Sequence, residues 1–136
     1  SLLSVTGKVL ARVLLNRLQQ LSETILPESQ YGFRPNRGTA EMIFCARQLL
    51  EKAREQQRPM MMVFFDLQKA FDSVPRDALW RVLEKFGCPP VVLHLIKGLH
   101  NEMRGSVIQR HLSPSFPIST GVKQGCVLAP TLFILY

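Results

Sequence analysis

Six consecutive apolar residues, Met60 to Phe65, run directly into a carboxylate, Asp66. An apolar stretch of that length is short for a helix and suits a buried strand. On either side the period changes. Between Val5 and Leu21 the apolar residues Val9, Leu10, Val13, Leu14, Leu18 and Leu21 recur at helical spacing, with Lys8, Arg12, Asn16 and Gln19 between them. A second helix, which Thr39 can cap and which ends before Pro59, carries Met42, Ile43, Ala46, Leu49, Leu50 and Ala53 on one side. One strand set among amphipathic helices requires a mixed α/β (α+β) fold, rich in helix.

The remaining elements follow from punctuation. Asp72 or Ser73 can cap a third helix, Pro75 suits its first turn, Leu79, Trp80, Leu83 and Phe86 form its apolar face, and Gly87 stops it. Val92, Leu95, Ile96, Leu99 and Met103 mark a fourth. Ser106 to His111 reads as a strand with Phe116 to Ser119 as a hairpin partner, which gives a small antiparallel sheet. Gly121 to Gly125 reads as a loop, and Pro130 lies near the start of a last helix.

With 136 residues, 46% of them hydrophobic, the chain can bury a core of its own. No apolar run is long enough to span a bilayer and no leader pattern opens the chain, so a soluble, intracellular protein without a membrane partner is expected. Seventeen Lys and Arg against ten Asp and Glu leave a net charge of +7. That balance fits a polyanionic partner and equally fits a solubilising surface, so charge alone leaves both open. Cys45, Cys88 and Cys126 are odd in number, widely spaced and outside any zinc-site pattern, so reduced thiols and no disulfide-linked partner are expected. The chain opens at Ser1 inside an amphipathic pattern and stops at Tyr136 inside an apolar run, so both ends read as truncations of a longer protein.

Three segments carry chemistry. Asp66 ends the apolar run in the string FDLQKAFD, which adds an aromatic five residues later, Phe71, and a second carboxylate, Asp72. A carboxylate at the end of a buried strand is costly unless it is paired or metal-bound, which makes Asp66 a site candidate. The same pattern also describes a strand end whose aspartates cap a turn and a helix. GVKQGCVLAP, from Gly121 to Pro130, sets a Lys and a Gln between glycines ahead of a helix, which suits close approach to a phosphate and equally suits a tight loop into a core helix. QYGFRPNRGT, from Gln30 to Thr39, mixes Arg34 and Arg37 with Tyr31 and Phe33, either a nucleic-acid or triphosphate surface or a rigid turn with surface arginines.

In their order and separation these strings resemble the reverse transcriptase family. SLLSVTGKVLARVLLNRL is similar to the first fingers helix of the non-LTR retrotransposon (LINE-type) and group II intron enzymes, and QYGFRPNRGT to the adjacent fingers motif. FFDLQKAFDSV resembles palm motif A, and GVKQGCVLAPTLF resembles motif B. The resemblance implies a fingers and partial-palm fragment of a right-hand polymerase, with residues 1–59 as fingers and 60–136 as palm and fingers. It implies an RNA-directed DNA polymerase using an RNA template, a DNA primer and deoxynucleoside triphosphates, with two magnesium ions, or manganese in their place.

It further implies that Asp66 is catalytic and binds both ions, with the Leu67 carbonyl helping one of them. Phe71 becomes a steric gate under the sugar, Gln124 and Gly125 line the nucleotide pocket, and Arg34 faces the triphosphate or template. The family supplies two more aspartates from a DD motif beyond motif B. No Asp-Asp pair occurs in this chain, so the fragment alone is expected to be inactive. In the cell a ribonucleoprotein of the nucleus or cytoplasm is implied if the element is eukaryotic. The competing readings are a group II intron maturase-type enzyme and a non-catalytic nucleic-acid-binding remnant of a decayed element.

Overall fold

Apolar periodicity of 3.6 residues dominates this sequence, and helices accordingly dominate the fold. The computed structural model describes residues 4–108, 112–123 and 125–136. In chain order these form α1 (Val5–Ile25), α2 (Thr39–Glu55), α3 (Arg76–Lys85), α4 (Pro90–His100), β1 (Arg104–Gly105), β2 (Phe116–Pro117) and α5 (Ala129–Leu135). β1 and β2 pair antiparallel, Arg104 opposite Pro117 and Gly105 opposite Phe116, and an isolated bridge joins Ile108 to Leu112. The hairpin expected after α4 therefore exists, beginning two residues earlier than the β-propensity of Ser106 to His111 suggests. Part of that stretch, residues 109–111, lies outside the described residues.

The chain divides into two compact units, residues 1–25 with 69–136, and Leu26–Gln68. Every buried apolar side chain among the described residues belongs to the first unit. Leu14, Leu15 and Leu18 come from α1, Leu79 and Leu83 from α3, Leu93 and Ile96 from α4, and Leu132 and Leu135 from α5. Helices α1 and α3 each pack on both α4 and α5. Each leucine so buried contributes about 1.5–3 kcal/mol of transfer free energy, which makes this unit the stabilised framework of the chain.

Four local readings need correction. The buried stripe of α1 is Ala11, Leu14, Leu15, Leu18 and Ser22, whereas Val9, Leu10 and Val13 on the expected stripe are exposed, because the face that packs is the one running through Ala11 and Leu15 and not the one through Val9 and Val13. Gly38, not Thr39, occupies the N-cap of α2, and the Glu41 carboxylate accepts a hydrogen bond from the Gly38 N–H at 2.8 Å. Pro75, not Asp72 or Ser73, is the N-cap of α3. Finally, Met60 to Phe65 forms no strand and is not buried: Met61 is 90% exposed and Phe64 and Phe65 are each 88% exposed. A run of apolar residues states that a segment would gain from burial, but a strand also needs a neighbouring strand to pair its backbone, and among the described residues none pairs with it.

Candidate functional site

The loop between α1 and α2 and the segment carrying Asp66 belong to the unit Leu26–Gln68. Asp66 and Leu67 lie on irregular backbone with exposed side chains, so Asp66 is not a buried carboxylate and bears no burial cost that a partner or a metal must offset. Arg34 is buried, 8% exposed, and donates through Nη1 to the Pro27 carbonyl at 2.9 Å. It holds its own loop together and is turned into that loop, not towards an open surface. Arg37 pairs with the Glu28 carboxylate, donates to the Glu28 carbonyl at 3.0 Å and sits 5.5 Å over the Tyr31 ring. The Tyr31 hydroxyl lies 3.1 Å from the Cys45 sulfur, and that hydrogen bond raises the phenol above its ordinary pKa. QYGFRPNRGT is thus a braced turn whose arginines are engaged with Pro27 and Glu28 just before it.

The other unit brings two of the sequence motifs together. After the turn at Lys69 to Ser73, the backbone of Phe71 to Val74 runs against Gly121 and Val122. The Gly121 N–H donates to the Val74 carbonyl at 2.8 Å, and the Val122 N–H donates to the Phe71 carbonyl at 2.9 Å. The approach requires glycine: a Cβ at residue 121 would fall 2.8 Å from both Cα and O of Asp72 and 2.9 Å from the Phe71 oxygen, and its φ of +81° favours glycine independently.

Phe71 is half-buried, and its ring packs on Phe133 of α5 with centroids 5.0 Å apart and planes tilted by 44°. The same ring lines an open concavity of about 320 Å³ with Gly125, Cys126, Val127, Ala129 and Pro130. At Gly125, φ is +82° and a Cβ would meet nothing within 4 Å. Its conformation, and no crowding by neighbours, calls for glycine there, which leaves its backbone open to a ligand. Gln124 lies outside the described residues. Phe71 and Gly125 are therefore brought to one concavity, while Asp66, Leu67 and Arg34 belong to the other unit.

Two residues that sequence reasoning passed over organise the same loop. Arg76, at the first position of α3, donates from Nε to the Gly121 carbonyl at 2.8 Å, from Nη1 to the carbonyls of His100 and Ile118 at 3.0 Å each, and from Nη2 to the Thr120 carbonyl and the Met103 sulfur at 3.1 Å each. Burial lowers its pKa from the ordinary guanidinium value. His100, 2% exposed, has Nδ1 at 2.9 Å from the Ile96 carbonyl and accepts at Nε2 from the Lys123 N–H at 3.3 Å, which fixes the neutral Nδ1–H tautomer. Burial is the main cause that lowers its pKa, with the cations Arg76 and Lys123 acting in the same direction. Neither residue has a motif signature, because the partners are backbone groups of segments distant in sequence.

As metal donors, the Asp66 carboxylate and the Leu67 carbonyl are hard oxygens of the kind magnesium prefers, but they are fewer than it requires. Among the described residues no group of three His, Cys, Asp or Glu is placed to hold an ion. The described residues do not by themselves complete the two-ion site that the resemblance implies.

The model of the family described as reverse transcriptase (RNA-dependent DNA polymerase) matches residues 1–136. The RNA-directed DNA polymerase from mobile element jockey of Drosophila melanogaster is 32% identical across the whole chain, and the probable RNA-directed DNA polymerase from transposon BS of the same fly is 33% identical across the whole chain. A 149 kDa protein of transposon TX1 from Xenopus laevis is 31% identical over 99% of it and is matched over 10% of its own length. The chain spans 15% of the length of the two fly relatives.

Proposed function

Because this chain belongs to the reverse transcriptase family, on its non-LTR retrotransposon side, we propose that it is the nucleotide-facing part of an RNA-directed DNA polymerase. The whole protein would extend a DNA primer 3′-hydroxyl with deoxynucleoside triphosphates on an RNA template. The observation that carries this reading is the concavity shared by Phe71 and Gly125, built on motif A backbone sealed to motif B backbone at Gly121 and Val122.

Each residue's part follows from its surroundings. Phe71, backed by the Phe133 ring, cannot swing aside easily, so it acts as a steric gate where a ribonucleotide would carry its 2′-hydroxyl. The open backbone at Gly125, with Gln124 beside it, lets base and sugar approach closely. Asp66 supplies a carboxylate and Leu67 a carbonyl to the divalent ions, with the remaining donors contributed from elsewhere in the whole protein. Arg34 acts through the shape of its loop. Residues 1–59 read as fingers and 60–136 as palm and fingers, and on its own the chain is expected to bind nucleic acid without polymerising.

Primer extension by the full-length protein on an RNA template tests the reading. Asp66→Asn is expected to abolish incorporation of every nucleotide. Phe71→Val is expected to retain part of the deoxynucleotide activity while the ratio of ribo- to deoxynucleotide incorporation rises. Template binding without extension by the wild-type protein would identify a non-catalytic remnant instead.

A further inference from the structure

The guanidinium of Arg76 is placed where helix energetics alone would not put it. It stands at the N-terminus of α3, the positive end of that helix dipole, where a cation is disfavoured. Its acceptors among the described residues are four carbonyl oxygens and a thioether, with no carboxylate to neutralise it. One of those carbonyls, on His100, belongs to the last turn of α4, where an orphan acceptor and a negative dipole end welcome a cation. The other three, on Ile118, Thr120 and Gly121, lie within four residues of irregular chain that lead into the motif B loop. Three of the five donor contacts thus converge on residues 118–121 while the other two tie the same guanidinium to His100 and Met103, a geometry that the planar fork of arginine can provide and a lysine ammonium cannot. His100 holds the same loop two residues beyond Gly121, through the Lys123 N–H.

The stretch so held is the one bonded to the backbone of Phe71 and Val74. We propose that Arg76 is a positioning residue for sugar selection: by fixing Ile118 to Gly121 it fixes the backbone from which Phe71 projects into the concavity. It touches no substrate and acts through Gly121 and Val122. This inference rests on the steric-gate reading of Phe71, and it predicts something that a purely structural arginine would not. Loosening the clamp should alter which nucleotide is accepted, and not merely how much folded protein is present.

The test uses the full-length protein with an RNA template, a DNA primer and matched ribo- and deoxynucleoside triphosphates. In Arg76→Met, KM for the deoxynucleotide is expected to rise roughly ten- to a hundredfold, the range that small misplacements of a site produce, with a smaller change in kcat. The ribo-to-deoxy incorporation ratio should move towards that of Phe71→Val, and Arg76→Lys, which keeps the charge but not the fork, should fall between wild type and Arg76→Met. Amide exchange at Gly121 and Lys123 should quicken in both variants while the amides of Leu14 to Leu18 keep their protection.

Wild-type KM and an unchanged ratio in Arg76→Met, with activity reduced only in proportion to folded protein, would overturn the proposal. If Phe71→Val itself left the ratio unchanged, the gate reading would fail, and Arg76 would be judged on KM and exchange. If the wild-type protein extended no primer, the polymerase reading would fail, and unaltered exchange at Gly121 and Lys123 would still defeat the clamp.

Discussion

At Gly121, an added methyl would meet the main chain of Asp72 and Phe71, not a flexible side chain, so relief requires the two segments to part. With the strain of a positive φ included, Gly121→Ala is expected to cost about 2–4 kcal/mol, measured by denaturant unfolding. Gly125→Ala carries only the conformational part, about 1–2 kcal/mol, since open space surrounds the added carbon. Equal losses at the two positions would show that φ, and not contact, dominates at Gly121. The sequence string GVKQG marked both residues for close approach, yet what approaches Gly121 is the protein's own backbone. Arg76 was illegible for a related reason: its acceptors are carbonyls 24 to 45 residues away, and every residue type carries a carbonyl.

At the scale of elements, helix α3 was legible because Leu79 and Leu83 of its expected face are where the core lies, whereas on α4 only Ile96 of the expected positions is buried, with Leu93 in the core and Leu95 39% exposed. The strand at Met60 to Phe65 was misread because pairing is a property of two segments and apolar run length a property of one. The junction of α4 with the motif B loop also sets a pH response. His100 faces the Ile96 carbonyl on its own helix, the Trp80 ring and Arg76 from α3, and Lys123 from the loop. Its native pKa is lowered, so the unfolded chain takes up the proton first as pH falls. Stability is therefore complete above the unfolded value near 6.5 and declines as pH drops towards the native value. The protonated Nε2 would also present a donor to the Lys123 N–H. Unfolding measured from pH 7.5 to 5 is expected to show this loss, at no more than about 1.4 kcal/mol per pH unit for one proton, with a shallower slope in His100→Asn.

For the whole molecule, the proposed function and the net charge of +7 together imply that nucleic acid would be bound through phosphate contacts. Affinity for single-stranded RNA is expected to fall with a log–log salt slope of about 0.7 per phosphate neutralised, followed by fluorescence anisotropy. Affinity indifferent to salt would contradict that account. The unit Leu26–Gln68 contributes no buried apolar side chain, and its Met61, Phe64 and Phe65 are among the most exposed large residues of the chain. The fit of Gly121 against Asp72 has a consequence for anyone recombining such proteins. Two strings about fifty positions apart form one tightly matched part, so a chimera whose crossover falls between them joins halves never fitted to each other. A crossover that carries Phe71 to Val74 together with Gly121 and Val122 keeps the match, and the best exchange boundaries here follow the fold and not the order of the chain.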